Sequence, residues 1–414
     1  TKIIGGLPTG PLAYVRSVAE DPNKKGLLFA GTGNAFYYSS DDGANWHAMQ
    51  AGLPHAPVTW IEVQKTFHDV VVSTYGRGIY ILDDITPLEQ RAEHSTDAQV
   101  NLYKPLTVYR IVPGGHAFID FELKSPTRVN LAILDAQGKP VREYKNIAAH
   151  PGLNRRSWDL RYEPPKLVKL RTDAPDNPFI WDEPRFRHAD SRPITHWGIQ
   201  QAEVGPIVTP GKYTVRLTVA GKDYNEPLEI LKSPKTTASD ADLSASLKMQ
   251  LRIRDDINET SDMVNQIEWM RKQVEDVQKM LRAENGKPDL LKSAQGMDQR
   301  MKNVEFELIS KTDANSDDKY YVEPYKVYLN LIWLNGEVGT GAGDVAGGAD
   351  FAPTQTSTLV LESIEKDLTK AQGDYRALVD KELPAFNRAM LGGGVTPLTA
   401  VSNSTKSQSG SEPK

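Results

Sequence analysis

The chain has 414 residues, 39% hydrophobic and 25% charged, with 49 basic and 54 acidic side chains, a net charge of -5 and no cysteine. That length is too great for one compact core, the composition is that of soluble globular material, and the small acidic surplus argues against nucleic acid as a main partner. Without cysteine there can be no disulfide, thiolate nucleophile or zinc–sulfur centre, and no segment approaches the roughly 18 to 20 consecutive apolar residues of a membrane span.

The sequence opens at Thr1 with neither a methionine nor the apolar core of a signal peptide, and it reads as a cut inside a longer polypeptide. From Tyr14 onward come short strands separated by turn residues: Tyr14 to Val18, Leu27 to Ala30 and Ala35 to Ser39, with Asp21-Pro22 and Asp42-Gly43 as punctuation. An offset of 42 positions aligns Gly31 to Asp42 with Ser73 to Asp84, matching Thr32 with Thr74, Tyr38 with Tyr80, Asp41 with Asp83 and Asp42 with Asp84. The strands Val58 to Val63 and Asp69 to Ser73 repeat the same order. A period of about 40 to 50 residues is that of four-stranded propeller blades, so residues 1–90 are expected to hold the last two blades of a β-propeller. Two blades are too few to close a ring.

Within this region Ser39-Ser40-Asp41-Asp42-Gly43-Ala44-Asn45-Trp46 matches the Asp-box pattern. Its mechanics are those of a hairpin: the Asp41 carboxylate can accept backbone N–H groups, Gly43 permits a positive φ, and Trp46 can fold back over the turn. Ser39, Asp41, Gly43 and Trp46 are therefore expected to be structural. Reading Asp41 and Asp42 as a metal pair finds no third oxygen ligand at a recognised spacing, and no metal or cofactor is expected.

The Asp-box, together with Ser73-Thr74-Tyr75-Gly76-Arg77-Gly78-Ile79-Tyr80-Ile81-Leu82-Asp83-Asp84-Ile85-Thr86-Pro87-Leu88, resembles the last blades of large bacterial sortilin-like or BNR-repeat glycosyl hydrolase-like proteins. The resemblance continues through Trp158 to Pro165, Pro210 to Leu217 and Leu251 to Gln266. It implies a periplasmic or secreted protein with further blades upstream, in the same chain or in a partner subunit. In such families the hydrolase label transfers a fold more safely than an activity.

Residues 100–232 alternate with period two, as in Ile119, Phe121 and Leu123, in Val129, Leu131 and Ile133, and in Tyr213, Val215, Leu217 and Val219. With turns at Asp135 to Gly138 and Ala220 to Lys222 they predict an immunoglobulin-like antiparallel sandwich of about seven strands, its core including Trp158. The interval 163–205 holds no clear strand, only Trp181, Arg185, Arg187, His188, His196 and Trp197 among other aromatic and polar residues. Two readings follow: a ligand-recognition surface of rings and polar groups, or a loop that Trp181 and Trp197 anchor onto the propeller or the helices.

From 238 to 391 the period becomes helical, and three amphipathic helices should form an antiparallel bundle. The first carries Leu243, Leu247, Leu251, Ile257, Val264, Ile267, Val274, Val277 and Leu281, with Ser239 and Asp242 at its cap and Gly286 and Pro288 as its stop. The second spans Leu290 to Ile309 and the third Ser357 to Met390, bent by Pro384, with Tyr325 to Leu334 as a short fourth. Gly336 to Gly348 reads as a flexible connection, and 392–414 as a disordered tail.

Neither two suitably separated carboxylates nor a nucleophilic tyrosine with an arginine cluster can be assembled, so no catalytic residue is assigned. The preferred function is binding or scaffolding a peptide, protein or glycan, and the alternative is part of a sialidase-like glycoside hydrolase whose catalytic residues lie upstream.

Overall fold

A computed structural model describes residues 3–49, 52–95, 97–111, 115–284, 286–318, 322–339 and 350–400, with the side chains of 201 and 202 excepted. The chain is multidomain, β-rich first and helical after, and divides into two compact units. One comprises Thr1–Tyr109, His116–Asp159 and Gly211–Leu231; the other comprises Arg110–Gly115, Leu160–Pro210 and Lys232–Lys414.

The first unit begins with a four-stranded antiparallel sheet of β1 (Val15–Glu20), β2 (Leu28–Thr32), β3 (Phe36–Ser39) and β4 (His47–Ala48). A three-stranded meander follows, made of β5 (Val58–Gln64), β6 (Asp69–Thr74) and β7 (Gly78–Leu82). Alternation decides which side chains meet between the two sheets: Phe29 and Phe36 from the first pack with Val58, Ile61, Val63, Val70 and Val72 from the second. Each such burial is worth about 1.5–3 kcal/mol, before the cost of ordering the chain.

After β7 the chain turns through Asp84, whose carboxylate accepts from the Thr86 N–H at 3.0 Å and the Thr86 hydroxyl at 2.6 Å, and enters α1 (Thr86–Gln90). Two further sheets complete this unit. One has the order β13-β10-β8, from β8 (Val100–Leu102), β10 (Ala117–Leu123) and β13 (Gly152–Trp158). The other runs β12-β11-β14-β15-β9, from β9 (Val108–Arg110), β11 (Thr127–Leu134), β12 (Pro140–Ala149), β14 (Gly211–Val219) and β15 (Lys222–Lys232). Val129, Leu131, Ile133, Tyr213, Val215, Leu217 and Val219 are buried as their period requires. Trp158 is fully buried and meets Tyr213 edge-on at 6.1 Å, which ties β13 to β14.

Asp120 departs from the alternation. It is 3% exposed because Arg155 grips both its oxygens, at 2.8 and 2.9 Å, while donating to the carbonyls of Asp83 and Asp84. Desolvation raises the Asp120 pKa and the Arg155 contacts oppose that rise.

In the second unit α2 (Ile199–Ala202) precedes the long α3 (Asp240–Glu284). The expected cap is present: the Asp242 N–H donates to the Ser239 hydroxyl at 3.1 Å and the Asp242 carboxylate accepts the Ser239 N–H at 2.9 Å. Pro288, read from sequence as part of a stop, instead opens α4 (Pro288–Leu308), where its missing N–H costs nothing. α5 (Val327–Val338) is buried along most of its length and includes Gly336, so the expected flexible connection does not begin there; 340–349 lie outside the described residues.

The third expected helix is α6 (Gln355–Ala377), a π-helical turn over Leu378–Glu382, and α7 (Leu383–Gly392). The wide turn sits just before Pro384, which lacks the N–H that a regular α-helical bond needs. Order continues past the predicted start of the tail: Val395 and Leu398 are buried, and Asn387 brackets Leu398 with two hydrogen bonds at 2.9 Å. Only 401–414 of that tail lie outside the described residues.

Candidate functional site

The Asp-box octapeptide forms the turn between β3 and β4. Asp41 accepts from the Ser39 hydroxyl at 2.7 Å, from the Asn45 N–H at 2.8 Å and from the Asn45 side-chain amide at 2.8 Å. Those bonds, the Asn45 side chain foremost, hold its pKa down to about 2. Gly43 sits at φ +83° and donates its N–H to Ser39, while the Trp46 indole donates to the Ile3 carbonyl at 2.8 Å. All four residues are used within the turn and its cover.

The offset of 42 carries β1 onto β5, β2 onto β6 and β3 onto β7. Both meanders have a bulge on the first strand, opposite the Gly31/Thr32 step in one and the Ser73/Thr74 step in the other. Thr32 and Thr74 each donate to a carbonyl across the following hairpin, at 3.0 and 2.8 Å.

A second repeat escapes that alignment because its offset is 46: Gly6-Leu7-Pro8 followed by Pro11, and Gly52-Leu53-Pro54 followed by Pro57. Gly6 and Gly52 share a positive φ, at +83° and +80°. Leu53 packs into the layer between the two sheets, and Leu7 packs onto the other face of the first sheet, against Leu28, Ala30, Tyr37 and Trp46.

Strands β2 and β3 of the first sheet are thus apolar and covered on both faces, while Val15 and Val18 of its edge strand β1 stay exposed. The second is apolar on its covered face and mixed on the other. Its outward positions include Trp60, Glu62, Val71, Ser73, Ile79 and Ile81, brought together by the pairings Trp60 with Ser73, Ser73 with Ile79, Glu62 with Val71 and Val71 with Ile81. Trp60 is 65% exposed, Ile79 72% and Ile81 61%.

The six residues of 163–205 fall into two groups in the helical unit, not on a loop of the sheet unit where sequence placed them. Trp181 is half-buried, donates its indole N–H to Asp173 at 3.0 Å and meets Phe186 edge-on at 6.5 Å. The Arg185 guanidinium lies 4.6 Å from the Phe186 ring centre, Arg187 donates to the Asp182 carbonyl, and exposed His188 sits at φ +70°. In the second group His196 is buried between Tyr325 and Trp333, both ring centres 5.4 Å away. Its Nδ1 faces the Trp197 carbonyl at 3.0 Å, which can only accept; Nδ1 therefore bears the proton, and in the neutral ring Nε2 accepts from the Tyr325 hydroxyl at 3.0 Å. Trp197 projects outward, 73% exposed. Both groups border one turn, Arg185 donating to the Ser316 carbonyl and the Trp197 N–H to the Asp318 carboxylate.

The sequence reading missed what holds this segment. Residues 166–172 run extended, with Val168 and Leu170 buried in the helical core and the strap backbone read by one polar stripe on α3. Asn258 accepts the Lys166 N–H at 2.7 Å, Ser261 donates to the Lys166 carbonyl at 2.8 Å, and Asn265 accepts the Lys169 N–H at 2.6 Å while donating to the Leu167 carbonyl at 3.0 Å. Glu268 accepts the N–H groups of Arg171 and Thr172 and the Thr172 hydroxyl. The helical spacing of Asn258, Ser261, Asn265 and Glu268, beside the alternation of Leu167 to Thr172, was the available signal.

Beneath the strap Arg271 donates to Glu268 and Glu305, both at 2.7 Å, and to Asp298 at 3.2 Å. Glu268 and Glu305 are completely buried. Desolvation, with the neighbouring Glu268 charge, pushes the Glu305 pKa up to about 8. No helix among the described residues is long and apolar enough to cross a membrane, and no described group of three or more His, Asp or Glu side chains could hold a metal ion. No protein-family model matches the chain, and no curated protein matches it.

Proposed function

We propose that this chain is the C-terminal part of an extracytoplasmic Asp-box propeller protein that binds or scaffolds a peptide, protein or glycan. In this reading β1–β4 and β5–β7 are adjacent blades, β8–β15 form an immunoglobulin-like sandwich, and a further sheet of the same kind covers the outward face of β5–β7. The observation that carries it is the repeat with unequal cover: two sheets of one design, the second left with Trp60, Ile79 and Ile81 in solvent and with β7, whose Ile79 and Ile81 alternate with Tyr80 and Leu82, apolar on both faces. A strand apolar on both faces belongs between two layers. The resemblance in the Asp-box and in Ser73 to Leu88 supports the family and the compartment.

Exposed Trp197, with Arg185, Arg187 and His188 on the same segment, is the proposed ligand surface; Trp181 and His196 anchor the segment through Phe186 and through Tyr325 and Trp333. The test is binding of the full-length protein to immobilised glycans and peptides, with aryl-glycoside turnover measured in parallel. Binding without turnover, weakened at least tenfold by Trp197→Ala at unchanged Tm, supports the reading. Turnover abolished by upstream carboxylate substitutions would replace binding by hydrolysis.

A further inference from the structure

We propose that Glu305 is a proton-operated lock on the 166–172 strap: while protonated it leaves Arg271 to Glu268, which holds the strap, and on ionising it competes with Glu268 for that cation and loosens the strap. The inference rests on the buried cluster and stands apart from the proposed ligand.

Three facts of geometry support it. Glu268 accepts from three strap donors and from Arg271, a set that suits a carboxylate with both oxygens accepting. Glu305, equally buried, has one oxygen on Arg271, no donor on its Oε1, and its carboxyl within hydrogen-bonding reach of Glu268. The charged groups around the pair come from α3, α4 and the 173–192 segment. Arg271 lies on α3, while Asp298 on α4 is shared between Arg271 and Lys302. Arg192 lies close enough to interact with both carboxyls and with Asp173 and Asp176, and it donates to the carbonyls of Ala314 and Asn315.

Two buried carboxylates share the one guanidinium that bonds them, since Arg192 gives its terminal N–H groups to carbonyls, and a low-dielectric interior resists the second negative charge by keeping a proton. The proton goes to solvent as the pH rises, and nothing else is exchanged. The upward shift of the Glu305 pKa fixes the sign. A raised carboxyl pKa means that the folded state binds more protons than the unfolded one between the ordinary value of 4.5 and about 8. Its contribution is complete below the lower value and is lost as the pH rises through the upper one.

The test is amide hydrogen exchange of the full chain at pH 7 and pH 9, corrected for intrinsic rates. Arg171 and Thr172, bonded to Glu268, are expected to lose protection about tenfold, the equivalent of about 1.4 kcal/mol. Lys166, bonded to Asn258 at the far end of the strap, should change less than twofold. Glu305→Gln should abolish the difference. Asp256, on α3 and itself raised to about 7, supplies the control, since Asp256→Asn should leave the Arg171 and Thr172 response intact. Equal loss at Lys166, or protection unchanged at all three amides, overturns the proposal from the wild-type chain alone, whatever the variants do.

Discussion

At the scale of single residues the first unit is held by groups whose replacement has a defined sign. Asp41 has its pKa lowered to about 2 from 3.8 by bonds made only in the folded turn. Its contribution is therefore present above the unfolded value and disappears as the pH falls through about 2. Asp41→Ala should lower Tm at pH 7, with the gap from wild type closing towards pH 2, measured by circular dichroism. Gly31 reports the approach of the two repeat sheets, because a Cβ there would meet Val58 Cγ1 at 2.4 Å. Gly31→Ala should cost about 1–3 kcal/mol in urea denaturation, and adding Val58→Ala should recover part of it.

At the scale of elements the sequence showed periods better than partners. The meander, the alternating strands and the amphipathic helices were legible because each buries one side chain type at its own period, as Val129 to Ile133 and Leu243 to Leu281 do. The Asp-box turn was legible because its four residues interact within one octapeptide. The strap was not, because its partners lie about a hundred positions away, as Lys166 does from Ser261 and Thr172 from Glu268. Asp120 failed the alternation for a similar reason, its Arg155 partner being on another strand. Arg271 binds three acidic groups from two helices, and removing a buried ion's partner is far costlier than replacing the whole set. Arg271→Ala should cost about 3–5 kcal/mol, whereas Glu305→Gln should change stability by less than about 1 kcal/mol at pH 7, both read by chemical denaturation.

At the scale of the whole molecule the exposed face of β5–β7 governs how the chain associates. Trp60, Ile79 and Ile81 are each more than half exposed on one sheet face, while the corresponding layer beneath the sheet is closed by Phe29, Phe36 and Leu53. Large apolar side chains clustered on an exposed sheet face favour association, and an edge strand beside them invites pairing. β7 is such an edge, since by the 42-residue offset its Ile79 and Tyr80 stand where Tyr37 and Tyr38 of β3 pair with β4. In isolation the 414-residue chain should therefore self-associate through this face at micromolar concentration. Ile79→Lys with Ile81→Lys should shift it towards monomer in light scattering without lowering Tm, because both side chains point away from the packed layer. If, as proposed, further blades supply the cover in a longer protein, the same pair of lysines there should destabilise the fold, since they would then be buried without partners. A longer protein indifferent to them would show that the face stays open and that no second sheet packs on it.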